Sequence, residues 1–312
     1  MYKGKFGIED EFFILKGDEA PSHADIRAVL NEVASALGGE IRFDRKRGTL
    51  TVGVEERTGY LKIGPDFATT VMEVAYPPHV EFERFEEQWM SIEELIRGIC
   101  HNHGLKPVRS GIIDTLIPVE AILSKHKRFQ WYKNRPNNGR KLFENFFTAR
   151  SSGLHIHLDR ESFSGYDQAF ALEYLVPLLF SNSKTEQVHC KRLLLSLEND
   201  PMDGTGWGLS TNFTDPNYCY IRPREFGTIE YRSACCQPTL RDIARVLALR
   251  FIQHTASINR SSSESKKYFE DCARTGIQPK ILGSDLNYIA SLANHLPLGL
   301  RDNFIALLEA AA

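Results

Sequence analysis

The chain has 312 residues, 42% of them hydrophobic and 25% charged, and a formal net charge of −2. That balance excludes a mostly disordered chain. It also leaves no bulk charge for generic binding to nucleic acid or to an anionic membrane, so neither partner is expected.

The length fits two domains or one large α/β domain. No repeat or low-complexity linker marks a boundary, so a single domain over 1–312 is expected. No apolar run approaches the roughly 18 residues of a membrane span, and no apolar signal core follows Met1-Tyr2-Lys3-Gly4-Lys5. The six cysteines include the adjacent Cys235 and Cys236 and form no CxxC pair; they read as reduced thiols in a cytoplasmic protein.

Along the chain, Phe6 to Leu15 alternates as a strand, with Phe6, Ile8, Phe12 and Ile14 on one face and Glu9, Glu11 and Phe13 on the other. Ser22 to Leu37 carries Ile26, Leu30, Val33 and Leu37 at helical spacing and stops at Gly38-Gly39. Short strands and turns are expected over 40–63, a strand over Thr69 to Tyr76 ended by Pro77-Pro78, and a helix over Glu81 to His103. An irregular stretch covers 106–148. A strand follows over Ser151 to Asp159, then one or two helices between Phe163 and Leu197. A glycine-rich loop at 203–208 precedes strands near 218–222 and 227–232, and helices run from Leu240 onward. Strands come singly and in hairpin-like groups, without βαβ alternation. This predicts an α+β fold: a mostly antiparallel sheet with helices on one face and a polar cleft on the other.

Side chains at i and i+2 of a strand share a face. By that rule Glu9 pairs with Glu11, Glu73 sits alone in an apolar strand, His155 and His157 share a face with Asp159, and Glu230 shares one with Arg232. Any one such strand is an ordinary solvated face. Glu73 is the exception, because an unpaired buried carboxylate is costly and calls for an Arg or a metal. Four carboxylates and a histidine on one sheet face would need positive charge among them. Mg²⁺ or Mn²⁺ suits such oxygen-rich donors, whereas no cysteine has the spacing of a structural zinc site. Divalent cations among carboxylates, with an arginine alongside, are suited to holding a polyphosphate.

Four motifs occur in order: Gly7-Ile8-Glu9-Asp10-Glu11-Phe12; Thr70-Val71-Met72-Glu73-Val74-Ala75-Tyr76-Pro77-Pro78; Gly153-Leu154-His155-Ile156-His157; and Gly227-Thr228-Ile229-Glu230-Tyr231-Arg232 followed by Gln237-Pro238-Thr239-Leu240. Together they resemble the type-2 glutamate–cysteine ligase family, also called carboxylate–amine ligases, over about residues 5–245. The resemblance implies a glutamine-synthetase-like catalytic domain, a curved and mostly antiparallel sheet with helices on its outer face. It implies ATP, two or three Mg²⁺ or Mn²⁺ ions, and small-molecule carboxylate and amine substrates joined through an acyl phosphate. Carried over, Glu9, Glu11, Glu73, His155 and Glu230 would be metal ligands, Glu230 and Arg232 would serve catalysis, and Arg232 would contact the transferring phosphate. His157 would lie toward substrate.

The chain is somewhat short for that family. Lys125 to Lys141 holds seven basic residues and no acidic one, interleaved with Phe129, Trp131 and Tyr132, and reads as a solvated loop, as a lid that closes over phosphates or grips an acidic substrate, or, third, as an RNA contact through stacked aromatics. Arg150, Arg222 and Arg224 are candidates for gripping a substrate or ATP. The same superfold also hosts phosphotransferases. His155-x-His157 among carboxylates would suit a metal-dependent hydrolase, and a non-catalytic binding descendant is a further class. A symmetric homodimer is the base-rate expectation.

Overall fold

The computed structural model describes residues 2–45, 49–66, 68–111, 113, 152–173, 175–180, 221–256 and 283–311. They fall into two compact units, one of Gly7–Gly153 and one of Met1–Phe6 with Leu154–Ala312. Both mix helices with strands, and six strand pairings among the described residues run antiparallel. The α+β class expected from the sequence is observed.

In the first unit the strands are β1 (Phe6–Leu15), β2 (Glu40–Asp44), β3 (Thr49–Glu56), β4 (Gly59–Pro65), β5 (Val71–Ala75) and β6 (Lys106–Val108). Their order is β2-β3-β4-β5-β1, with β6 also paired to β1. Helix α1 (His23–Leu37) begins where expected, because Ser22 and Asp25 cap each other's backbone in a capping box. It ends at Gly38, whose φ of 61° is the left-handed conformation that glycine adopts without strain. Ile26, Val29, Leu30 and Val33 are buried. Helix α2 (Phe82–Asn102) buries Phe85, Trp89, Ile92, Ile96 and Ile99 as one stripe, and Glu93 lies within it. Because Trp89 reaches Asp10, α2 covers the β1 face that carries Ile8, Asp10, Phe12 and Ile14. Phe13 and Leu15 on the other face close a small core with Val71 and Ile113.

In the second unit, β9 (Thr228–Cys235) lies between β7 (Gly153–Asp159) and β8 (Ile221–Pro223). Short helices α3 (Tyr166–Phe170) and α4 (Leu175–Leu179) stand where one or two were expected. They are followed by α5 (Leu240–Thr255), α6 (Gly283–Ala293) and α7 (Leu298–Ala311). Helix α5 is capped by Thr239 and buries nearly every residue from Ile243 to His254. Tyr2 stacks on Phe251 of α5 at 4.7 Å, and its hydroxyl accepts a 2.8 Å hydrogen bond from the Asp159 amide. Cys100, Cys235 and Cys236 are buried free thiols, and the other cysteines lie outside the described residues. No described helix is long and apolar enough to cross a membrane.

Candidate functional site

The first unit carries an acidic face. Register places Glu11 directly opposite Glu73 across β1 and β5, with both side chains on the face away from α2. Both are buried. Asp66, just beyond β4, joins them, and one oxygen from each carboxylate lies within 4.8 Å of the others. Glu11 Oε2 also accepts a 2.8 Å bond from the Gly153 amide. Gly64 pairs with Glu73 on β4, and a Cβ at that position would stand 2.6 Å from the Thr51 methyl, so the strand passes here only as glycine. Glu9 is half-buried on the same face of β1, opposite Ala75. Like charges placed directly across a strand pair repel. Three of them in one cluster, offering only hard oxygen donors, fit Mg²⁺ or Mn²⁺ and would be relieved by it.

Sequence reading did not single out Asp66. Its signal was parity: Asp66 stands two residues after Gly64, which faces Glu73, so the hairpin returns a carboxylate to the same face. That signal needs the β4–β5 register, which sequence alone does not supply.

The second unit carries an arginine-rich face. Glu230 and Arg232 share a side of β9, as expected, with Arg232 Nε 3.0 Å from Glu230 Oε1. Arg222 of β8 sits directly opposite Glu230 and grips both oxygens, Nε to Oε2 at 2.6 Å and Nη2 to Oε1 at 3.2 Å. Arg224 brings Nε to 3.4 Å. That nitrogen is buried and has no hydrogen-bond acceptor. On β7, His155 Nδ1 lies 3.8 Å from Glu230, and His157 offers a nitrogen within 4.8 Å of it. His157 is also 3.4 Å from Thr228 Oγ1 and stacks on Phe226, which is 64% exposed at the β8–β9 turn. Three guanidiniums thus converge on the Glu230 carboxylate. Such a cluster, with an unfilled buried donor, suits a phosphate or carboxylate ligand.

Both faces are braced from behind by residues that sequence reading passed over. Asp10, fully buried, accepts from Arg109 at 2.8 and 3.1 Å and from Trp89 Nε1 at 3.0 Å. Arg109 also binds Glu93 at 2.7 Å and lies over the rings of Phe12 and Trp89. Burial alone would raise the Glu93 pKa, but Arg109 and Arg97 outweigh it and hold the carboxyl below its ordinary value. Behind β9, Arg250 donates to Glu173 at 2.8 Å and to Ser233 at 2.8 Å, and Ser233 donates to Glu173. Glu93 had a sequence signal, since it interrupts the apolar stripe of α2. Its partner Arg109 had none.

His254 is buried between the Tyr231 hydroxyl at 3.1 Å and the Asp159 carbonyl at 2.8 Å. Burial pushes its pKa down to about 4, so the ring is neutral, donating through Nε2 and accepting at Nδ1. Arg150, the basic segment 125–141 and the glycine-rich loop 203–208 lie outside the described residues.

No protein-family model and no curated protein sequence matches this chain. Solved structures do match. A glutamate–cysteine ligase from Francisella tularensis, in complex with AMP, is similar over 100% of this chain and 82% of its own, at 11% identity and a TM-score of 0.59. A bifunctional glutathione synthetase from Pasteurella multocida is similar over 99% of this chain at 13% identity and a TM-score of 0.57, and this chain spans 46% of it. At such identities the likeness is one of fold, and the fold is the one that the four strand motifs imply, that of the glutamate–cysteine ligases.

Proposed function

We propose that the chain is an ATP- and Mg²⁺-dependent ligase that joins a small carboxylate, such as an amino acid, to an amine and releases ADP and phosphate. The observation that carries this reading is the burial of Glu11 opposite Glu73, with Asp66 closing the group. Three carboxylate oxygens within 4.8 Å of one another can share a cation, and a cation held on a strand face is what a polyphosphate substrate requires. The shared fold and the arginines around Glu230 support it.

In this reading Glu9, Glu11, Asp66, Glu73, His155 and Glu230 hold two or three Mg²⁺ or Mn²⁺ ions. Divalent cations held there would supply positive charge to offset that of a polyphosphate. Arg232 and Arg224 bind the γ-phosphoryl group and stabilise the charge that develops as it transfers. A carboxylate oxygen of the substrate attacks phosphorus, and the bond to the ADP oxygen breaks. The amine then attacks the acyl carbon, the carbon–oxygen bond to phosphate breaks, and the nitrogen loses a proton. No covalent attachment to the protein is needed, so the chain's task is positioning and charge neutralisation. Arg222, Arg150 and His157 line the substrate side.

The test is a screen of amino-acid and amine pairs with ATP and Mg²⁺, following phosphate release and confirming the amide by mass. Amine-dependent phosphate with one amide per ADP is expected. Turnover of ATP to a stable phosphorylated product without free phosphate, or hydrolysis without nucleotide, would overturn the reading.

A further inference from the structure

We infer that Arg222 is a displaceable counter-ion that withholds Glu230 from a divalent cation until an anion takes up the arginines; the inference rests on the reading of Glu230 as a metal ligand. The Glu230 side chain is 2% exposed, so it has little access to water and depends on its neighbours. Arg222 supplies a two-point grip, Nε to Oε2 at 2.6 Å and Nη2 to Oε1 at 3.2 Å. Arg232 stands 3.0 Å from Oε1 and Arg224 3.4 Å from Oε2. A divalent ion approaching this carboxylate meets a guanidinium on each oxygen and three positive charges within hydrogen-bond or near hydrogen-bond range.

Charge arithmetic therefore separates the two faces. The Glu11–Asp66–Glu73 group offers a cation three oxygens within 4.8 Å of one another. Glu230 can offer its own only when its guanidiniums turn to another anion. Arg222 is placed to make that turn. It sits on β8, a strand of three residues at the end of the β7-β9-β8 order, so among the described residues only β9 holds it by strand pairing. Next to it, Arg224 Nε is already buried without an acceptor, so an incoming phosphate oxygen finds a donor waiting. A polyphosphate arriving with its cation would draw the arginines to phosphate and release Glu230 oxygens to the metal.

The test is Mn²⁺ binding by the whole protein, read from the loss of the free-ion EPR signal. Glu73→Gln silences the acidic group and isolates the Glu230 side. In that background Arg222→Gln is expected to tighten Mn²⁺ binding by at least about tenfold, the worth of one charge-assisted contact. Glu230→Gln added to it should remove the gain. Arg222→Lys, which keeps the charge but loses the two-point grip, should fall between and serves if Arg222→Gln does not fold. Inorganic phosphate, at a concentration that leaves free Mn²⁺ unchanged without protein, should tighten binding in Glu73→Gln alone. Unchanged or weaker Mn²⁺ affinity on replacing Arg222 would overturn the inference. Failure of the unmodified protein to bind Mn²⁺ at all would instead overturn the ligand assignments of the ligase reading.

Discussion

The two units solve opposite electrostatic problems on similar strands. In Gly7–Gly153, carboxylates from β1, β5 and the β4–β5 turn gather within 4.8 Å of one another. In the unit that contains Leu154–Ala312, the buried carboxylate of Glu230 on β9 is ringed by Arg222, Arg224 and Arg232. The lesson is that the same period-two pattern, an ionisable residue every second position, gives a cluster of carboxylates or a carboxylate ringed by guanidiniums according to what the neighbouring strand supplies across the ladder. Glu73 opposite Glu11 and Arg222 opposite Glu230 are the two decisive pairings.

Removing a carboxylate should therefore have opposite effects in the two units. Glu230→Ala strands three guanidiniums, two of them buried, and is expected to lower stability by about 4 kcal/mol in urea denaturation. An unchanged midpoint would mean that the arginines do not depend on Glu230.

Acid should separate the units next. The His254 pKa is about 4 when folded against an ordinary 6.5, so the unfolded chain binds the proton more readily over that range. Stability contributed by the neutral ring is complete above pH 6.5 and falls as pH drops toward 4, by about 3 kcal/mol in all. Asp25, held down to about 2 by Lys16 and Ser22, and Glu93 lose their contributions only below their ordinary values of 3.8 and 4.5. Hydrogen-exchange protection factors, taken relative to the intrinsic rate at each pH, should thus fall first in α5 and β9 as pH falls from 6.5, while α1 and α2 keep theirs. His254→Gln should flatten that response. Simultaneous loosening of both units would break the comparison.

With metal chelated, Glu73→Gln relieves repulsion and should raise stability by about 1 kcal/mol, the reverse sign to Glu230→Ala. A loss of stability there would mean that the acidic cluster is neutralised within the chain. The smallest effect serves as a calibration away from either face. Ser22→Ala removes the α1 cap and should cost at most about 1 kcal/mol without changing metal affinity.

Much of this was readable from alternation. The parity that put Glu9 with Glu11 and Glu230 with Arg232 survives in the structure, because side-chain direction along a strand is fixed by backbone geometry alone. The α1 boundaries were legible for a similar reason: Ser22, Asp25 and Gly38 act on backbone groups within a turn of themselves. What sequence could not reveal were the partners brought from a distance. Asp66 reaches Glu73 only through the β4–β5 register, and Asp10 was hidden because its partner Arg109 lies 99 residues away. By itself the sequence determined which residues face which way, since that depends on near neighbours. Which charges meet was decided by tertiary structure, since ladder register and helix packing set the distances over which charges attract or repel.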